Sequence, residues 1–268
     1  MVRSFLFMVA YYALSVVYVL TAVLFLAWPG RGPVSAIIKS YTRAIGFALR
    51  WVAGIRKETR GKERLPEGAF ILAGKHQSWG DGFLVYPEVS NLAFVTGDHL
   101  ERIPLLGGIL RKLGAIVIDT CGGGERKAAS LAEGMARARK DGRRVLIYPE
   151  GHLAPVDHMF RYKSGVWHMQ KAMNVPVVPV ATNIGLCWPQ EAFRKTPGKV
   201  TIEFLEPIPP GLSKAEFMAR LESVTEAGTA ALVAEARGTA PVEAVLLPDP
   251  VKGTLGKPED AGSLAAAE

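Results

Sequence analysis

The chain has 268 residues, enough to bury a sizeable core, and 49% hydrophobic against 21% charged residues exclude a disordered polymer. A formal net charge of +7 points to an anionic partner: nucleic acid, an acidic membrane surface or a phosphorylated substrate. The two cysteines, Cys121 and Cys187, form no Cys-x-x-Cys pair and no zinc-type cluster with histidine, which argues against a disulfide framework and a bound metal.

Residues 5–28 are apolar throughout apart from Ser15 and Thr21, a run long enough to span or deeply enter a bilayer. Signal peptides have a shorter apolar core and a small-residue cleavage site, and neither suits this run. Trp28 and the tyrosines of the run suit a bilayer interface. Over residues 34–57, Lys39, Arg43 and Arg50 share one helical face, with Ile38, Ile45, Leu49 and Val52 on another. That is the pattern of a basic amphipathic helix lying on anionic lipid, although an ordinary surface helix carries it too. The basic flank sets the rest of the chain on the cytoplasmic side, against the inner membrane.

From residue 69 onward, short β-branched runs alternate with helical stretches. Strands are predicted at 69–73, 92–96, 115–118, 145–148, 177–181 and 200–204. A helix is predicted over 126–140, where Ala128, Leu131, Met135 and Ala138 form an apolar stripe. Ser213 with Glu216 makes a capping box for a last helix running to about Arg237. Pro248, Pro250, Gly253, Gly256 and Pro258 then break regular structure. The expected fold is α/β: a mixed, largely parallel sheet flanked by helices, preceded by an N-terminal membrane helix and a basic amphipathic helix. The expected organisation is 1–58 as membrane-anchoring helices, 59–240 as the α/β domain and 241–268 as a flexible tail.

Two segments carry chemistry. Lys75-His76-Gln77-Ser78-Trp79-Gly80-Asp81 follows the first predicted strand, at the strand end where α/β proteins place their sites. Histidine moves protons near neutral pH, and a carboxylate on its second ring nitrogen would fix the tautomer and stabilise the imidazolium. On a straight helix, five residues put His76 and Asp81 about 140° apart, so the chain must turn between them, as Gly80 permits. Tyr148-Pro149-Glu150-Gly151 follows another apolar strand: proline ends the strand, glycine allows a sharp turn, and Glu150 is presented at its end. Each segment alone is weakly specific, and an isolated glutamate is more commonly a solvated turn residue. Ser78 beside His76 raises the alternative of a hydrolase, against which stands the lack of a Gly-x-Ser-x-Gly elbow. A non-catalytic lipid-binding protein is a further alternative. Nucleic acid is not the expected partner, because much of the basic excess flanks the apolar run and no RNA- or DNA-binding motif is present.

In order and interval these segments resemble the glycerolipid acyltransferase family, of which bacterial 1-acylglycerol-3-phosphate acyltransferases are typical. His76…Asp81 resembles the family's H-x4-D motif, and Tyr148-Pro149-Glu150-Gly151 its F-P-E-G motif. Val175-Pro176-Val177-Val178-Pro179-Val180 matches V-P-V-V-P-V. Ile103-Pro104-Leu105-Leu106-Gly107 with Gly114…Ile118-Asp119 is similar to the second motif, and Tyr162-Lys163-Ser164-Gly165 to a further segment. The resemblance covers residues 60–212 or so and implies acyl transfer from acyl-CoA or acyl-acyl carrier protein to the free hydroxyl of a lysolipid, most typically 1-acylglycerol-3-phosphate, with no cofactor or metal. It implies His76 as base, Asp81 behind it, and Glu150 and Gly151 in acceptor binding. The sequence departs from the pattern where the family usually has basic residues: His152 and Leu153 follow Gly151, Thr120 follows Asp119, and Gly97 and Asp98 stand where a lysine is common. Lys75, Arg102, Lys112, Arg161 and Lys163 are the substitutes that could meet an acceptor's phosphate.

Overall fold

The computed structural model describes residues 1–118, 124–190 and 192–249, so Asp119, Thr120 and Cys121 lie outside the described residues. Within them are strands β1 (Ile55–Arg60), β2 (Ile71–Gly74), β3 (Leu92–Gly97), β4 (Ile116–Ile118), β5 (Arg144–Ile147), β6 (His158–Phe160), β7 (Val177–Thr182), β8 (Gly198–Phe204) and β9 (Val245–Leu247). The α-helices are α1 (Val2–Leu24), α2 (Gly32–Ala48), α3 (Asp81–Val85), α4 (Asp98–Glu101), α5 (Leu106–Leu113), α6 (Gly124–Lys140), α7 (Gly165–Met173) and α8 (Lys214–Arg237).

Seven strands form one sheet in the order β1-β8-β7-β2-β5-β3-β4, and β6 pairs with β9 in a second, two-stranded sheet. Within the large sheet every neighbouring pair is parallel except β7 and β8. The C-terminal ends of β2, β3, β4, β5 and β7 therefore share one edge. The loops carrying His76, Arg102 and Glu150 all leave from that edge.

Strand alternation assigns the core to two faces. Leu72, Leu146, Val178 and Val180 point to one side and pack with residues of α1, α2 and α3, among them Phe7, Ile45, Ala48 and Leu84. Ile71, Val145, Ile147 and Val177 point to the other and pack with Met135, Ala138, Val166, Met169, Phe217 and Leu221 from α6, α7 and α8. The stripe expected on the 126–140 helix is the one buried at Met135 and Ala138.

The N-terminal helices are part of this fold. Ser4 and Phe7 near the start of α1 and Ala22 near its end are buried on the same side. Phe7 and Tyr11 stack edge-on against Trp188, Tyr11 also meets Phe83, and Ala22 packs with Val34, Ile109 and Leu113. The opposite side of α1 exposes Phe5, Leu6, Val9, Tyr12, Val16, Val17, Leu20 and Leu24, and the end of the α2 segment exposes Phe47 and Trp51. Arg43 of α2 and Arg50 just beyond its end are exposed, with Lys39 half-buried.

The second helix is shorter than expected. After α2 a single π-helical turn, Leu49–Ala53, ends at Gly54, and Arg56 and Lys57 lie in β1. The helix cannot absorb them because Ile55–Arg60 pairs in register with residues 198–203 of β8. This strand is polar because it is an edge strand, where charges discourage further pairing. The tail also differs from the expectation of simple flexibility, since Val245–Leu247 forms a parallel pair with β6. The last helix begins as expected, with the reciprocal Ser213–Glu216 capping box, and ends at Gly238.

Candidate active site

Beyond β2 the chain leaves the sheet and turns through residues 75–80 before α3 begins at Asp81. This turn brings His76 Nδ1 to 2.8 Å from Asp81 Oδ2. Gly80 serves it by packing and not by an unusual backbone, since its φ is −77°. A Cβ there would lie 2.6 Å from Trp188 Cε3 and 2.8 Å from Ile184 Cδ1. Asp81 is 3% exposed, and its Oδ2 also accepts the backbone N–H groups of Gln77 and Ser78, each at 2.9 Å. Those two donors hold the carboxylate in place as an acceptor for the imidazole N–H.

The His76 ring is held on its face as well. Tyr148 stacks on it with centroids 4.0 Å apart and planes 12° apart. Burial, and then the nearby Asp81, push the Tyr148 hydroxyl well above its ordinary range, so it stays a neutral phenol. With Nδ1 engaged, Nε2 is the ring's remaining nitrogen and has no protein partner among the described residues; the side chain is 23% exposed. A neutral imidazole so oriented can accept a proton from a hydroxyl brought to its open side.

Glu150 and Lys75 are placed differently from the expectation that they meet substrate. Glu150 is 0% and Lys75 2% exposed. Glu150 Oε1 accepts the His76 backbone N–H at 3.2 Å, and Oε2 accepts from Phe160 N at 2.9 Å and Lys75 Nζ at 3.1 Å. Burial raises the Glu150 carboxyl above its usual range, with Lys75 and the backbone donors pulling the other way. Both side chains are sealed beneath the loop, so neither can be a phosphate ligand without the loop opening. Gly151 is exposed with φ +72°, the left-handed turn that glycine adopts without strain, and its N–H returns to Tyr148 O at 3.0 Å.

Among the expected cations, Arg102, Arg161 and Lys163 remain at the surface. Arg102 pairs with Asp98 and Lys163 with Asp249, both solvent-exposed pairs of the kind easily exchanged. The Lys163 backbone N–H bonds Pro149 O at 2.8 Å, which keeps it beside the Glu150 turn. Lys112 is tied to Trp28 O at 2.6 Å. Ser78 is buried, and its Oγ accepts from Gly80 N at 3.0 Å, a turn-building role and not that of a presented nucleophile. Among the described residues, no three His, Cys, Asp or Glu side chains converge as a metal site requires.

Glu226 on α8 and the stack of Tyr148 on His76 were not anticipated. Glu226 reads as one more glutamate on a helix.

An α/β layer with a His–Asp pair at the parallel strand ends defines a class of proteins that present an oriented imidazole able to move a proton. Comparison with known proteins narrows it. A family model described as Acyltransferase matches residues 56–183, which include every motif residue from His76 to Val180. The chain is 32% identical over 176 residues to a 1-acyl-sn-glycerol-3-phosphate acyltransferase of Pseudomonas aeruginosa, covering 65% of this chain and 67% of that protein. It is 27% identical over 194 residues to the protein of that name from Limnanthes alba, covering 70% and 66%. The chain thus spans about two thirds of the length of these relatives. The crystal structure of the 1-acyl-sn-glycerophosphate (LPA) acyltransferase from Thermotoga maritima has the same fold, with a TM-score of 0.70 at 24% identity over 86% of this chain and 96% of that one. The chain belongs to the glycerolipid acyltransferase family and is an O-acyltransferase, as its motifs imply.

Proposed function

We propose that the protein transfers a fatty acyl group from acyl-CoA or acyl-acyl carrier protein to the free hydroxyl of 1-acylglycerol-3-phosphate, giving phosphatidic acid. The observation that carries the mechanism is the 2.8 Å contact of His76 Nδ1 with buried Asp81, which leaves Nε2 as the open nitrogen. His76 Nε2 takes the hydroxyl proton as the oxygen attacks the thioester carbonyl. Asp81 holds the imidazole in that tautomer and balances the imidazolium, which returns the proton to the leaving thiolate. Such a base is worth about 10²–10⁴-fold in rate. The acceptor assignment rests on the relatives' names and on Arg102, Arg161 and Lys163 as basic residues at the surface of the same strand-end region.

Membrane attachment belongs to the same reading. α1 is the one helix among the described residues long and apolar enough to cross a bilayer. Because one side of it is buried on the domain from Ser4 to Ala22, we place α1 and α2 in one leaflet, with the exposed apolar side down. The basic face of α2 supports the inner membrane surface as the partner, with the site on the cytoplasmic side. Replacing Phe47 and Trp51 together by serine should lower flotation with anionic vesicles about tenfold or more, from the apolar area withdrawn from lipid. Unchanged flotation would refute this placement.

The deciding assay is transfer from a radiolabelled acyl thioester by purified enzyme in mixed micelles, offering 1-acylglycerol-3-phosphate beside other lysolipids, with His76→Ala as control. Product from the phosphate-bearing acceptor that vanishes with His76→Ala is the expected result. Product from a different lysolipid alone would overturn the acceptor, and full activity of His76→Ala would overturn the base.

A further inference from the structure

Beneath the loop, in the region β6 and α8 share, lies a largely buried cluster of charges that the acyl-transfer chemistry does not use. Lys75 Nζ donates to Glu150 Oε2 at 3.1 Å, to His158 O at 2.9 Å, and to both carboxylate oxygens of Glu226 at 2.9 and 3.0 Å. The Tyr162 hydroxyl donates to Glu226 Oε1 at 2.8 Å. An ammonium has three donors, and here all are used inside the protein. Burying a lysine with two glutamates is costly, and the cost is offset only when geometry and hydrogen bonding are complete, as they are here.

The cluster reaches the reacting histidine through two backbone groups. Lys75 is the residue before His76, and the acceptor of the His76 N–H is Glu150 Oε1, whose partner oxygen is held by Lys75. On the other side the His76 carbonyl accepts from Ala154 N at 2.7 Å. The peptide that carries the imidazole is thus clamped, and the clamp ends on α8. Gln77 from the loop and Glu226 and Thr229 from α8 also line a common cavity of about 10 Å³.

We propose that Glu226 is a positioning residue for acyl transfer: through Lys75 and Glu150 it fixes the backbone of His76, making α8 part of the catalytic apparatus although it lies outside the 56–183 family match. This rests on His76 acting as the base. Glu226 touches no reacting atom. Its effect is on how often the imidazole stands where the acceptor hydroxyl needs it, so it acts on kcat and leaves substrate binding nearly alone. A misplacement near 1 Å costs on the order of 10²-fold.

The test compares Glu226→Gln and Glu226→Ala in the full-length enzyme, assayed with the thioester and lysolipid on which the unaltered enzyme turns over. Glutamine keeps one oxygen for Lys75 and Tyr162, and alanine keeps none. The expected result is a fall in kcat of about tenfold for Glu226→Gln and about a hundredfold for Glu226→Ala, with KM for both substrates within about twofold. In protein carrying 15N-histidine, the His76 Nδ1–H resonance bonded to Asp81 should broaden or disappear in Glu226→Ala. A folded Glu226→Ala enzyme with unchanged kcat and an unchanged His76 resonance would overturn the proposal and leave the cluster a structural staple, whatever its melting temperature. Should His76→Ala itself stay active, the base assignment falls; the resonance, which does not depend on turnover, then decides whether Glu226 positions the loop.

Discussion

Asp81 and Glu150 grip the same loop from its two ends, and both do so as buried carboxylates that accept two backbone N–H groups. They differ in the third partner. Asp81 takes the ring nitrogen of a histidine that is part-exposed, whereas Glu150 takes the ammonium of a lysine sealed in the interior. In the mechanism proposed above, Asp81 serves chemistry, because it faces the group that gains and loses a proton in each turnover. Glu150 serves geometry, because its partners are two backbone N–H groups and a lysine sealed in the interior. The two motif residues look alike in sequence, a lone acid after a strand, and the partner and its exposure tell them apart.

That contrast can be broken by experiment. The largest effect is expected for Asp81→Asn, which keeps the shape but no longer stabilises the imidazolium: kcat should fall about 10²–10⁴-fold with little change in KM. Glu150→Gln keeps an acceptor for His76 and removes the charge facing Lys75. Its kcat should fall only about tenfold, while denaturant unfolding shows a loss of about 1–3 kcal/mol. If Glu150→Gln instead raised KM for the acceptor alone, Glu150 would be a binding residue and the contrast would fail.

A third carboxylate, Glu235 on α8, marks the exposed extreme. Arg60 of β1, and then Lys199 of β8, hold it down to about 2 from an ordinary 4.5. Because its folded value is depressed, its contribution is present above pH 4.5 and is lost as the pH falls toward 2. The group lies in solvent, so the effect is the smallest of the three: Glu235→Gln should melt about one degree below the unaltered protein at pH 6, and the gap should close at low pH or in high salt. A gap that persisted at pH 2 would show that Glu235 acts through packing.

The parallel strands were legible because they are buried on both faces and read as β-branched runs such as Val177–Thr182. β1 was not legible, because Ile55–Arg60 is an edge strand whose charged residues continue the basic helix before it. His76 and Asp81 were legible as a pair through the motif order, although the need for Gly80 is set by Trp188, more than a hundred residues away. Glu150 was found and given the wrong surroundings, since nothing local says that a turn glutamate will be covered by α8 and β6. Glu226 could not be found at all: its partner Lys75 lies 151 residues earlier, and only the folded chain brings them together.

One consequence follows from how α1 and α2 are built in. They cover one face of the sheet, where Phe7, Ile45 and Leu49 close over Phe70, Leu72 and Val180. A chain begun at Ile55 would not be a soluble catalytic unit freed of its tether. It would be a sheet with half its core in water. In the membrane placement proposed above, the hold on the bilayer and the hold on the fold are the same two helices, so what detaches this enzyme from lipid by removing them also dismantles it.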